Sequence, residues 1–262
     1  MKKLLNVRNI EEICSMKIIP LKEGNFSASK TKDFTLLTDE NFDTVTGIKM
    51  SVQPFLIITE NDYILLDAGI GWKNEDGTSV VSTLLEREGI RPEQVTKLLL
   101  SHLHKDHIEG AVRLTDHGYE PTFPNAEIYI QKRELDFAME NKGNPSFDFE
   151  VLENLIQLPN IIWMNDDNGK ITDEIFYEVV GGHTPFMQVF WIKENGETVF
   201  YGADDLPQAS YLKYHLAYKS DFDGRKAMEL RLEWEKKARE NHWKILLYHD
   251  LEKAVIEIKN GE

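Results

Sequence analysis

Three imidazoles and one carboxylate fall within six consecutive positions of this chain, at His102, His104, Asp106 and His107 of the segment Ser101–Gly110. Like dipoles and charges crowd such a cluster, so it is costly to assemble unless a cation supplies the opposite charge. The apolar run Lys97–Leu100 ends directly before it and reads as a strand, which places the cluster in a polar loop at a strand end. Residues two apart in an extended loop project to the same side, so His102 and His104 can grip one ion together. A turn into a helix at Asp106 and His107 would point those side chains at a second ion nearby. A lone histidine in such a run would read as a solvated loop or satisfied core residue; four ligand-type residues at this spacing reverse that reading and suit a pair of metals.

The flanking chain supplies the frame. Met16–Leu21, Phe55–Thr59 and Tyr63–Asp67 read as strands, the last two joined in a hairpin by the turn cluster Glu60-Asn61-Asp62. Val80–Glu88, Arg133–Glu140 and Val151–Leu158 read as helices, and Glu127–Ile130 as a strand. Further strands are predicted at Ile175–Val180, Gln188–Lys193, Thr198–Tyr201, Ile245–Tyr248 and Ala254–Ile258, with Asn195-Gly196 as a hairpin turn. Arg225–Asn241 is the clearest helix: Ala227, Leu230, Trp234 and Ala238 form one core-facing stripe, and Glu233–Lys237 and Glu235–Arg239 pair on the outer face. Asn141–Ser146 is a long loop. No linker, repeat or low-complexity tract divides the series, so residues 1–262 are expected to form one α/β domain of sheets covered by helices.

Charge then narrows the partners. With 45 acidic against 30 basic side chains the net charge is −15, and no run of Lys and Arg offers a basic groove, so nucleic acid is not expected as a partner. No stretch approaches the roughly 18 apolar residues that span a bilayer, so no membrane partner is expected either. The single Cys14 cannot form an internal disulfide, and charge interrupts the apolar run of residues 1–10 before a signal-peptide core could form; a cytoplasmic location follows as an expectation.

Other segments carry ligand-type residues in the same order along the chain. Ile64–Gly69 ends a strand on Asp67; Val179–Pro185 holds His183 in a Gly-Gly-His-Thr-Pro turn; Val199–Asp205 ends a hairpin strand on Asp204; Ile245–Asp250 ends a late strand on His249. Together with the His-x-His-x-Asp-His run, these segments resemble the motifs of the metallo-β-lactamase fold superfamily, over residues from about 55 to 250. Phe186 stands where that turn commonly has glycine.

The resemblance implies a four-layer αβ/βα sandwich with two metals at one edge of its sheets. His102, His104 and His183 would hold the first ion, Asp106, His107 and His249 the second, and Asp204 would bridge them. Asp67 would orient a ligand histidine. Imidazole and carboxylate donors without thiolate suit zinc, and Fe, Mn or Co would be accepted by the same set. Two such ions share a water, lower its pKa toward about 7 and polarise a carbonyl or phosphoryl oxygen; Asp106 would orient the hydroxide and pass its proton to the leaving group.

Substrate is set by the loops around the metals. The order after Asp204, with an aromatic-rich stretch holding Tyr211, Tyr214, His215 and Tyr218, resembles the branch of N-acyl homoserine lactonases and methyl parathion hydrolase-like enzymes. It lacks the separate helical domain of glyoxalase II and the basic arm of ribonuclease Z. Lactonases often place a tyrosine just past the bridging aspartate, whereas this chain has Pro207 and Gln208. The expected activity is cleavage of an ester-type bond of a small molecule, such as a lactone. The alternatives are phosphotriester or phosphodiester hydrolysis, or a metal-bearing sensor with little turnover; redox chemistry with an appended flavin domain has no room in this length. Phe186, Met187 and Phe190 are either an apolar pocket wall or core, the aromatic residues after Asp204 are either pocket or packing, and His117 and His242 are surface residues.

Overall fold

A computed structural model describes residues 16–258. Cys14 and the first ten residues lie outside this range. Two six-stranded sheets dominate. In the first, the order is Lys17–Pro20, Phe55–Ile58, Tyr63–Leu66, Lys97–Leu99, Glu127–Gln131 and Ile161–Met164. The first two neighbouring pairs are antiparallel, and every pair from Tyr63–Leu66 onward is parallel. In the second, the order is Asn168–Lys170, Ile175–Val179, Gln188–Glu194, Glu197–Tyr201, Lys244–Leu246 and Val255–Glu257, with a single parallel pair between Glu197–Tyr201 and Lys244–Leu246.

The strands of the first sheet read as unbroken apolar runs because both faces are covered. Alternate residues divide cleanly between two cores. Phe55, Ile57, Ile64, Leu66 and Leu99 join Val189, Phe190 and Ile192 of the second sheet. Leu56, Leu65, Leu98, Leu100, Ile128 and Ile130 face the helices Val80–Arg87, Lys132–Glu140 and Phe149–Leu155 through Val81, Leu85, Leu135, Ala138, Val151 and Leu152. On the second sheet, Phe200 packs with Trp191, Trp243 and Trp234, the last from helix Gly224–Asn241, at ring separations of 5.1, 5.3 and 5.0 Å. The layers thus run helix, sheet, sheet, helix, as expected from the sequence.

Several details differ from the sequence reading. A three-stranded sheet of Phe34–Leu36, Gly24–Ala28 and Ile48–Val52 and a hairpin of Val112–Thr115 and Gly118–Pro121 were not predicted. Gly, Asn and Ser interrupt the first of these, and its buried Ser51 is satisfied by donating to the carbonyls of Tyr248 and Asp250 at 2.9 and 2.8 Å. The helix placed at Val151–Leu158 starts earlier, at Phe149, because the Asp148 carboxylate accepts from the Val151 amide at 3.0 Å, and it ends at Leu155. The strand placed at Ile245–Tyr248 pairs only over Lys244–Leu246, the rest being drawn into the site. On helix Gly224–Asn241 the core-facing stripe includes a fully buried Arg231, while Leu230 is half-buried. Its outer pairs, Glu233 with Lys237 and Glu235 with Arg239, are formed.

Candidate metal centre

Strand ends of both sheets converge on one edge. Asp67 follows Tyr63–Leu66, the His102 run follows Lys97–Leu99, His183 follows Ile175–Val179, Asp204 follows Glu197–Tyr201, and His249 follows Lys244–Leu246. The chain turns sharply there. Asp67 and Ala203 take left-handed backbone angles (φ 55° and 43°), which L side chains adopt at a cost. A Cβ on Gly110 would lie 2.0 Å from the Ala68 carbonyl, so only glycine lets helix Lys105–Ile108 and its extension seat against the Asp67 loop.

All seven residues expected as ligands come together. His102, His104 and His183 form one group and Asp106, His107 and His249 another, the candidate ligand atoms of each, imidazole nitrogens and the Asp106 carboxylate oxygen, lying within 4.8 Å of one another. Asp204 stands between them: Oδ2 is 3.3 Å from His183 Nε2, and Oδ1 is 3.3 Å from His107 Nε2 and 3.1 Å from His249 Nε2. Asp106 Oδ2 lies 3.5 Å from His249 Nε2.

The outer nitrogen of most rings is already engaged. His107 Nδ1 meets Asp67 Oδ2 at 2.7 Å, His249 Nδ1 donates to the Ser51 carbonyl at 2.7 Å, and His183 Nδ1 meets Asp221 Oδ1 at 3.0 Å. Ser101 Oγ, which donates to Asp67 Oδ2, lies 3.0 Å from His102 Nδ1. These bonds fix the tautomers and turn each Nε2 inward. Nε2 of His102, His107 and His249 and Oδ1 of Asp204 are buried and make no hydrogen bond. Buried polar atoms without partners are costly, and four of them aimed into one space fit a cationic occupant. The donor set fits a divalent metal.

Electrostatics of the polypeptide agree. Burial, joined by the repulsion of His107 and His104, holds His102 well below its ordinary value; burial and His183 do the same to His104. His107 and His183 go the other way: burial opposes their charge, but Asp204, with Asp67 and Asp106 at the first and Asp221 at the second, outweighs it and raises both. Burial likewise resists ionisation of Asp204, yet His249, His107 and His183 hold it well below the usual carboxylate range. His102 and His104 are thus kept unprotonated and Asp204 ionised, the forms that metals require, while the carboxylates around His107 and His183 favour positive charge there.

Support extends to residues that sequence reading missed. Tyr201 donates to Asp67 Oδ2 at 2.5 Å, the Tyr248 ring stacks on His107 at 4.2 Å while its hydroxyl donates to the Asp106 carbonyl, and Asp205 accepts from the His183 amide at 2.7 Å. Tyr201, Asp205 and Tyr248 lie within the motif segments and were findable there; Asp221 carries no local signal. A cavity of about 340 Å³ opens over the centre, lined by His104, His183, Asp204 and His249 and by Met50, Phe137, Pro207, Gln208, Tyr211 and Phe222 among others. Of the open aromatic readings, Tyr211 lines the cavity with Tyr218 stacked behind it at 4.4 Å; Tyr214 is exposed, and His215 pairs with Glu235 at 3.1 Å. Met187 and Phe190 are core, Phe186 lies half-buried under Arg133, and His117 and His242 are exposed.

The sequence model of the metallo-β-lactamase superfamily matches residues 49–249, and the chain belongs to that superfamily. Solved structures share the fold along nearly the whole chain. A probable metal-dependent hydrolase from Staphylococcus aureus is 17% identical with a TM-score of 0.74, covering 94% of this chain and 93% of its own. AidC, a dizinc quorum-quenching lactonase solved with its product, is 22% identical with a TM-score of 0.69, covering 93% and 90%. An N-acyl homoserine lactone hydrolase with N-hexanoyl-L-homoserine bound at its catalytic metal centre is 18% identical with a TM-score of 0.63, covering 90% and 93%. No curated protein sequence matches the chain. At these identities the solved structures establish the shared fold.

Proposed function

We propose that this protein is a binuclear metallohydrolase that cleaves an ester-type bond of a small molecule, lactones foremost. The observation that carries the reading is the pair of three-residue groups joined through Asp204 beneath a cavity with apolar walls. His102, His104 and His183 hold one ion, Asp106, His107 and His249 the other, and zinc suits this thiolate-free set, with Fe, Mn and Co as substitutes. Two ions so held would lower the pKa of a shared water toward about 7 and polarise the scissile carbonyl.

The chain's own groups do the rest. Asp204 stays ionised among three imidazoles and Asp67 fixes the His107 ring. Asp106, facing the centre beside His249, is placed to accept the proton of the attacking water and return it to the leaving oxygen. Met50, Phe137 and Phe222 offer an acyl chain an apolar wall. The lactone products held by AidC and the homoserine lactone hydrolase favour this substrate class. Pro207 and Gln208, which line the cavity just beyond Asp204, provide no phenol there, and this keeps phosphoester hydrolysis as the second reading. No helix among the described residues is long and apolar enough to cross a membrane. A cytoplasmic site of action on small molecules, with no nucleic-acid or membrane partner, is part of the proposal.

The test is proton release in weakly buffered solution when zinc-loaded protein meets N-hexanoyl homoserine lactone, with His102→Ala as control. Release that depends on His102 supports lactone hydrolysis. Silence with metal bound transfers the assignment to phosphoesters, other esters or a sensing role, which paraoxon, p-nitrophenyl esters and ligand-induced thermal shifts then separate.

A further inference from the structure

One cation faces the cavity with no counter-ion. Lys32 is the only ammonium or guanidinium among the described residues that line it. Among the described residues Lys32 has no ion pair and no side-chain hydrogen bond, in a chain with 45 acidic side chains against 30 basic.

The turn that carries Lys32 keeps it that way. It joins strands Gly24–Ala28 and Phe34–Leu36, and the acid next to it in sequence, Asp33, is occupied within the turn: its Oδ2 accepts from Thr31 Oγ1 at 2.5 Å and Ser29 Oγ at 3.3 Å. Ser29 Oγ in turn accepts from the amides of Thr31 and Asp33, both at 3.1 Å. Lys32 itself sits at φ 58°, where a glycine would satisfy the turn without steric cost. The backbone therefore gives no reason for a lysine here, and the side chain is half-buried at the cavity wall. The other charged lining groups are committed elsewhere: Asp221 to His183, and Asp204 to the three imidazoles.

We propose that Lys32 is a substrate-recognition residue, selecting esters or lactones whose acyl arm ends in a carboxylate over neutral ones of the same size. This rests on the hydrolase reading above for the reaction, but not for the binding. An ammonium in a partly enclosed wall binds a carboxylate more strongly than one on an open surface, since water screens it less.

Monophenyl glutarate and phenyl pentanoate test it, because they share a leaving group and nearly a shape and differ by one charge at the end of the acyl arm. In K32M, and equally in K32Q, the ratio of kcat/KM for the charged ester to that for the neutral ester is expected to fall about 5- to 30-fold, carried by KM of the charged ester, with K32R restoring most of it. A ratio that stays the same in both variants overturns the assignment. Glutarate and pentanoate binding to the zinc-loaded protein, measured by calorimetry, reads the same selectivity without turnover. If wild-type protein hydrolyses neither ester nor any lactone, the ester and lactone reading fails, while a glutarate preference lost in K32M still upholds Lys32; equal preference in wild type and variants overturns it.

Discussion

Asp67 Oδ2 and His107 Nδ1 lie 2.7 Å apart with neither side chain exposed to solvent. Asp67 is held from three further sides, by the Ser101 amide on Oδ1 and by the Ser101 and Tyr201 hydroxyls on Oδ2. A carboxylate so fixed cannot swing away, and it presents the His107 Nε2 to the centre. Asp67→Asn keeps the shape but loses the charge and one acceptor, so zinc affinity is expected to fall about 10- to 100-fold, read by competition with a chromophoric chelator. Asp67→Ala leaves a buried imidazole and two hydroxyls without their acceptor and is expected to cost stability as well.

Glu23 gives a pH signature that the ligands do not. Buried beneath the loop after Asp67, it accepts from the Ile70 and Trp72 amides at 2.7 and 2.8 Å, yet burial outweighs those bonds and pushes its pKa up to about 8. The folded state therefore holds this proton more tightly than the unfolded chain, so its contribution is complete below the ordinary carboxylate value and is lost as pH rises toward 8. Between pH 5 and 8 the loss is on the order of 4 kcal/mol at most. Glu23→Gln, less stable at pH 5 because its amide opposes a backbone N–H, is expected to flatten the denaturation-midpoint profile over that interval relative to wild type; parallel profiles would contradict this.

Phe200 separates stability from chemistry. Fully buried among Trp191, Trp234 and Trp243, it joins helix Gly224–Asn241 to the second sheet, its ring on the strand face opposite that of Tyr201, which bonds Asp67. Phe200→Ala is expected to cost about 3–5 kcal/mol in urea denaturation. Zinc affinity of the fraction that remains folded is expected to stay near the wild-type value.

The sequence was most legible where chemistry and local spacing coincide. His102, His104, Asp106 and His107 share one loop and helix start, so their convergence follows from the periods of extended and helical chain; His183, Asp204 and His249 are legible through the resemblance of their strand-ending segments to the family's motifs. Most strands of the two main sheets were readable because burial leaves unbroken apolar runs, whereas the edge strands Ile161–Met164 and Asn168–Lys170, largely exposed, were not predicted. Other features depend on tertiary partners with no local trace. The small sheet from Gly24 to Val52 is built from short polar strands whose buried serines are satisfied by distant carbonyls. Arg231 stands on an apolar helix face because it donates to the Asp205 and Leu216 carbonyls and lies 5.1 Å from the Tyr211 ring. Asp221, 38 positions beyond His183, meets it only once the chain has folded back.

In the proposed binuclear centre two metal ions share Asp204. Elemental analysis of zinc-equilibrated, gel-filtered protein decides it, comparing wild type, Asp204→Ala and the surface control His117→Ala. Two zinc ions per chain are expected in wild type and control, with Asp204→Ala losing at least one and nearly all activity, since both ions lose a ligand at once. One ion or none in wild type, or full metal content in Asp204→Ala, would contradict the binuclear centre.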